Sequence, residues 1–150
     1  MTAIELDGVT KRYGDIVAVD DLDIRVREGE IYGFLGPNGA GKSTTIDLLL
    51  DFARPSAGSA RVLGYDTHHE SNQVRKRIGV LPEGFDTYDR LTGRQHLAFA
   101  IESKGLNDDP ETIAKRVGIS NALDRKAGDY PEGMTQRLAF GMALVGSPEV

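Results

Sequence analysis

Nine consecutive residues carry most of the chemistry this sequence offers. Gly36-Pro37-Asn38-Gly39-Ala40-Gly41-Lys42-Ser43-Thr44 fills every fixed position of the pattern G-x-x-x-x-G-K-[ST]. Three glycines in six residues let the backbone turn its N–H groups inward as a concave nest, along a path that residues with a Cβ would mostly obstruct. Such a nest suits phosphate oxygens. Lys42 supplies a point charge for the outer phosphates of a nucleotide, Ser43 a hydroxyl for a bridging Mg²⁺, and Thr44 a second hydroxyl beside them.

The flanks must aim that loop. Glu30-Ile31-Tyr32-Gly33-Phe34-Leu35 follows a turn at Glu28-Gly29 and reads as a buried, parallel-type strand over Ile31 to Leu35. Lys42 to Leu50 reads as a helix with Ile46, Leu49 and Leu50 on its apolar face, its positive end toward the loop. Upstream, Ile4, Leu6 and Val9 begin an extended segment. After the turn at Gly14-Asp15, Leu22, Ile24 and Val26 alternate with Asp23, Arg25 and Arg27, which predicts an antiparallel layer with one wet face. Tyr13, in Lys11-Arg12-Tyr13-Gly14, either lies flat against a nucleobase or packs at a strand end. Beyond the helix, Ser59 to Leu63 predicts a short strand, Asn72 to Arg77 a basic helix, and Ile78 to Leu81 a second buried strand ended by Pro82-Glu83. A residue just past such a strand is where an open α/β sheet places ligand contacts. His68-His69-Glu70 is read as a polar loop and not a metal site, because adjacent histidines diverge and no third ligand is spaced nearby.

From Gly84 the pattern turns helical. Thr92 with Gln95 makes a capping box, followed by Leu97, Ala100 and Ile101 on one face and a stop at Gly105. Asp109-Pro110 opens a helix through Ile113 and Val117 to Gly118, and Ser120 caps a brief third. Gly128 to Gly133 reads as a loop, and Thr135 to Val145 as a helix carrying Leu138, Met142 and Val145 before Gly146-Ser147-Pro148.

Composition bounds the rest. A length of 150 residues fits one domain or part of one. A net charge of -5 argues against a nucleic-acid binder, and the absence of cysteine excludes disulfides and thiolate chemistry. No charged-then-apolar leader and no apolar run of membrane-spanning length are visible, so a cytoplasmic protein with no direct membrane insertion is expected. A guanine-reading Asn-Lys-x-Asp is absent, which disfavours a GTPase.

Tyr13, the Gly36–Thr44 loop and Tyr130-Pro131-Glu132-Gly133-Met134 with Gln136-Arg137 resemble the nucleotide-binding subunits of ABC transporters, in the branch paired with small two-component export permeases. The resemblance covers the whole chain. It implies a P-loop NTPase of ABC type, an α/β fold with a RecA-like sheet core, an N-terminal antiparallel β layer and a helical subdomain, the C-terminal part of the domain missing. The expected divisions are 1–83, 84–134 and 135–150 within a single partial nucleotide-binding domain. The resemblance puts Tyr13 on adenine, residues 36–44 around the phosphates of ATP, and Ser43 on Mg²⁺. It puts Glu83 where the family carries the glutamine that approaches the Mg²⁺ and the attacking water and contacts the permease. A carboxylate there is able to ligate Mg²⁺ but repels the γ-phosphate. Gly133 alone matches the five-residue signature Leu-Ser-Gly-Gly-Gln, which clamps the γ-phosphate held by a second subunit, and Pro131 replaces its serine with a residue that donates no hydrogen bond. The family's Walker B Asp, catalytic Glu and switch His have no counterpart in this sequence, so slow hydrolysis is expected. Implied partners are a membrane permease and a second copy as homodimer, at the inner face of the cell membrane. The competing expectation is a non-catalytic fragment that binds nucleotide weakly or only docks on a permease.

Overall fold

The computed structural model describes residues 1–150, and the chain divides into two compact units, Met1–Arg75 with Val150 and Lys76–Glu149. The first is built on a four-stranded antiparallel sheet in the order β2-β1-β3-β4: β1 Thr2–Tyr13, β2 Ile16–Arg27, β3 Ala57–Val62 and β4 Tyr65–Asp66. Register explains why one face is dry. Leu6 lies between Ile24 and Ala60, and Ile4 between Val26 and Val62, while Glu5 lies between Arg25 and Arg61 on the other face and pairs with Arg25 at 2.9 Å. Helix α1, Lys42–Leu49, covers the apolar face, and Leu6, Val9, Val19, Leu48 and Ala60 form the core. A short α2, Ser71–Arg75, closes the unit. His68 Nδ1 lies 2.8 Å from Asp51 Oδ1, and His69 Nδ1 3.0 Å from Asp66 Oδ1.

The antiparallel hairpin, its turn at Gly14-Asp15, α1 and β3 agree with the sequence. Two strands do not. Residues 31–35 belong to no ladder, with Ile31 fully exposed and Leu35 92% exposed, and residues 78–81 are likewise unpaired, with Ile78 buried but Val80 and Leu81 exposed. Apolar content measures a tendency to be buried, whereas a strand is a hydrogen-bonding relation with neighbours, and no other strand of this chain flanks either segment. The face of α1 also differs. Thr45 and Leu48 are buried and Leu49 packs against the same core as expected, but Ile46 is exposed, so the buried face is turned toward Thr45 and Leu48.

The second unit is helical. It contains α3 Gly93–Ser103, α4 Pro110–Val117, two 3-10 turns at Ser120–Ala122 and Ala127–Asp129, and α5 Glu132–Ala143. The capping box forms as expected: Thr92 accepts from the Gln95 N–H and the Gln95 side chain accepts from the Thr92 N–H at 2.8 Å. Asp109 caps α4, accepting from Glu111 and Thr112, and Gly118 ends it in the left-handed conformation. Leu97, Ile101, Ile113, Val117, Leu138 and Val145 interlock in the core. Arg94 reaches Asp124 at 2.7 Å and Glu111 at 3.1 Å. Buried His96 accepts the Tyr88 N–H at Nε2, 3.0 Å away, which assigns its own proton to Nδ1, 2.8 Å from the Thr92 carbonyl. The last helix starts at Glu132, three residues before the position expected. Pro131 supplies the helical entry, with its carbonyl accepting from Met134 at 2.9 Å and Thr135 at 3.1 Å, and Glu132 places a negative charge in the first turn.

Candidate functional site

The Gly36–Thr44 loop lies in the first unit and runs into α1. Gly41 is the N-cap at φ 90°, and a Cβ there would stand 2.4 Å from the Ala18 carbonyl oxygen and 3.3 Å from Val19 Cγ2. Only glycine lets the loop sit down on β2 in this way. Behind it, buried Thr45 anchors the first turn, its N–H and its hydroxyl both reaching the Gly41 carbonyl, at 2.9 and 2.8 Å. Within the loop Ala40 donates to the Pro37 carbonyl at 3.1 Å, whereas the N–H groups of Gly39, Gly41, Lys42, Ser43 and Thr44 donate to nothing in the chain. These free donors lie at and just before the start of α1, where the helix dipole is positive. Ser43 is exposed and Thr44 half-buried. Lys42 folds back over its own loop, its ammonium on the carbonyls of Gly36 and, at 2.8 Å, Pro37.

The donor set therefore fits a polyphosphate: amide N–H groups, an ammonium and hydroxyls. Ser43 also offers an oxygen of the kind that Mg²⁺ prefers.

Tyr13 ends β1, half-exposed, and the Lys11 ammonium stands 4.7 Å from the centroid of its ring. Lys11 pairs across the hairpin with Val19, the residue that meets Gly41. Sequence reading did not single out Lys11 or Thr45. The spacing of Lys11 two residues before Tyr13 was the available signal.

The second unit holds the other two candidates. Glu83 is exposed in a turn with Gly84 at φ 68°. Gly133 lies in the first turn of α5, exposed, with nothing within 4 Å of where a Cβ would point. The structure thus brings Tyr13 and residues 36–44 together on one unit and places Glu83 and Gly133 on the other.

A helix that begins in an open amide nest beside an invading lysine, laid on an antiparallel sheet, defines a P-loop phosphate-binding protein. Residues 19–150 match the ABC transporter family, and the chain belongs to it. The daunorubicin/doxorubicin resistance ATP-binding protein DrrA of Streptomyces peucetius is 38% identical over 153 residues, 99% of this chain and 46% of its own length. The bacitracin transport ATP-binding protein BcrA of Bacillus licheniformis is 35% identical over 151 residues, 99% of this chain and 49% of its own. The probable multidrug ABC transporter ATP-binding protein YbhF of Escherichia coli (strain K12) is 34% identical over 154 residues, 99% of this chain and 27% of its own. The chain spans half or less of the length of these relatives. An ATP-binding subunit of an ABC transporter superposes with a TM-score of 0.83 at 25% identity, over 98% of this chain and 63% of that one. An ATP-binding cassette of an ABC transporter in its ADP conformation superposes at 0.86 and 21% identity, over 99% of this chain and 66% of that one, and shares the fold. No helix is long and apolar enough to cross a membrane.

Proposed function

We propose that this chain binds Mg-ATP as part of the ATP-binding subunit of an ABC exporter, whose ATP hydrolysis drives transport by a separate membrane permease. One observation carries the reading: the N–H groups of Gly39 and Gly41 to Thr44 are unused at the start of α1, with Lys42 among them. In this proposal the amides hold the phosphates and Lys42 leaves the Gly36 and Pro37 carbonyls for the outer ones. The Ser43 hydroxyl holds Mg²⁺, which supplies charge neutralisation between the phosphates when bound. Tyr13 offers its ring to the base, and the Thr45 hydroxyl fastens the first turn of α1 to the Gly41 carbonyl at the end of the nest.

Glu83 is proposed as the acidic residue facing the metal and the permease, and Gly133 as the point where α5 meets the nucleotide of a second copy in a homodimer. The site of action is the cytoplasmic face of the membrane. Pro131 at the N-cap of α5 has no side-chain hydrogen bond to give. That favours a second reading of the dimer step, in which the clamp is weak and nucleotide binding outlasts it.

The test is a fluorescent-ATP titration of the chain beside Lys42→Ala. The variant should bind several-fold more weakly, on the order expected for one charge-assisted phosphate contact. Equal dissociation constants would sink the proposal.

A further inference from the structure

We propose that Lys11 is a nucleotide contact, its ammonium taking the α-phosphate of a nucleotide whose base lies on Tyr13 and whose outer phosphates lie in the Gly36–Thr44 nest. The inference rests on the nucleotide reading above and adds to it the residue that bridges base and phosphate sites. Lys11 is paired with Val19 across the β1–β2 ladder, where the register is irregular on either side of the pair. Val19 Cγ2 lies 3.3 Å from the place a Gly41 Cβ would occupy, so the cross-strand partner of Lys11 is the residue that meets the last glycine of the loop. At its other end the ammonium stands over Tyr13, 4.7 Å from the ring centroid. Tyr13 is two residues further along the strand, about 7 Å at the usual rise. A cation therefore stands over the Tyr13 ring, on a residue whose strand partner meets the start of α1, and no carboxylate pairs with it.

The chemistry selects the ligand atom. An ammonium donates three hydrogen bonds and accepts none, so the amino group of a base is the wrong partner and an anionic oxygen the right one. A nucleotide that stacks on Tyr13 and fills the nest must pass its sugar and first phosphate between the two. The α-phosphate is the anion delivered there. A cation over a half-exposed ring is weakly held, so exchanging the ring face for a phosphate oxygen meets little resistance.

The contact is made to the one phosphate that ATP, ADP and AMP share, which separates Lys11 from Lys42 in a competition experiment. A fluorescent ATP analogue bound to the chain is displaced by ATP, ADP, AMP or adenosine, for the parent, Lys11→Met, Lys11→Arg and Lys42→Ala. Lys11→Met should weaken ATP, ADP and AMP by one common factor of about three to ten, the size of an exposed charge-assisted contact, with adenosine unchanged and Lys11→Arg near the parent. Unchanged affinities in Lys11→Met would overturn the proposal. A loss confined to ATP would do so as well, by placing the charge on the outer phosphates, and so would an equal loss for adenosine, by showing that Lys11 acts only through the Tyr13 ring. If Lys42→Ala binds ATP as the parent does, the nucleotide reading itself fails, which is a different result. Lys11→Gln, of similar stem length, gives the same readout if the methionine variant does not fold.

Discussion

Replacing Gly41 with alanine tests whether the loop is seated on the sheet as described. Two costs add. At φ 90° an L-residue is in the left-handed region, worth about 1–2 kcal/mol. The new Cβ would also stand 2.4 Å from the Ala18 carbonyl oxygen, a backbone atom fixed in β2 that is unable to swing aside. Relief requires lifting the start of α1, an overpacking effect of about 1–3 kcal/mol. The sum, about 2–5 kcal/mol, is a large part of the stability of an ordinary domain and should lower the melting temperature by roughly 10 °C. Because the nest is made of the same residues, the shift in melting temperature that Mg-ATP produces should shrink too. Thermal unfolding followed by circular dichroism, with and without Mg-ATP, reads both. Gly133→Ala is the control, since that position has open space and an ordinary helical φ, and alanine there should leave the melting temperature unchanged or slightly raised. A Gly41→Ala protein with the parent's melting temperature and the parent's response to Mg-ATP would refute the seating of the loop on β2.

Two further outcomes are expected. Leu97 is fully buried in the core of the helical unit, so Leu97→Ala should cost about 2–5 kcal/mol in urea unfolding, and a loss below about 1 kcal/mol would mean the core collapses around the gap. Asp66 accepts the His69 N–H at 2.8 Å and the His68 N–H at 2.9 Å, and the His69 bond above all holds its carboxyl below the usual range. A carboxyl lowered in the folded state contributes stability that is present above its unfolded value of 3.8 and lost as pH falls through the lowered folded value. Asp66→Asn should therefore show a shallower loss of stability than the parent as pH falls from neutrality to strong acid, and parallel curves would count against the assignment.

What the sequence made legible was local. The Thr92–Gln95 box, the Asp109-Pro110 start and the Gly118 stop are each written within one helical turn, and each forms with its expected partners. The phosphate loop was legible for the same reason, since Gly36, Gly39, Gly41 and Lys42 all fall within seven residues of sequence. Residues 31–35 and 78–81 were misread because their apolar side chains say nothing about which backbone lies alongside. Periodicity alone puts Ile46 on the buried face of α1, whereas Thr45 and Leu48 turn inward on a helix whose Gly41 N-cap packs on Ala18, a contact 23 residues apart in sequence. Lys11 was missed for a related reason: its interest comes from Val19 across the hairpin and from Gly41 beyond it.

The buried His96 ring gives the stretch before α3 a mechanical character. With one nitrogen accepting from the Tyr88 backbone and the other donating to the Thr92 carbonyl, the ring is unable to turn over without breaking both bonds. It is a splint. Leu91 adds a second fastening, its carbonyl taking the Ala127 N–H at 2.8 Å. Residues 88–92 are thereby tied to the first turn of α3 on one side and to Ala127 on the other, so shifting this stretch alone costs all of these hydrogen bonds together.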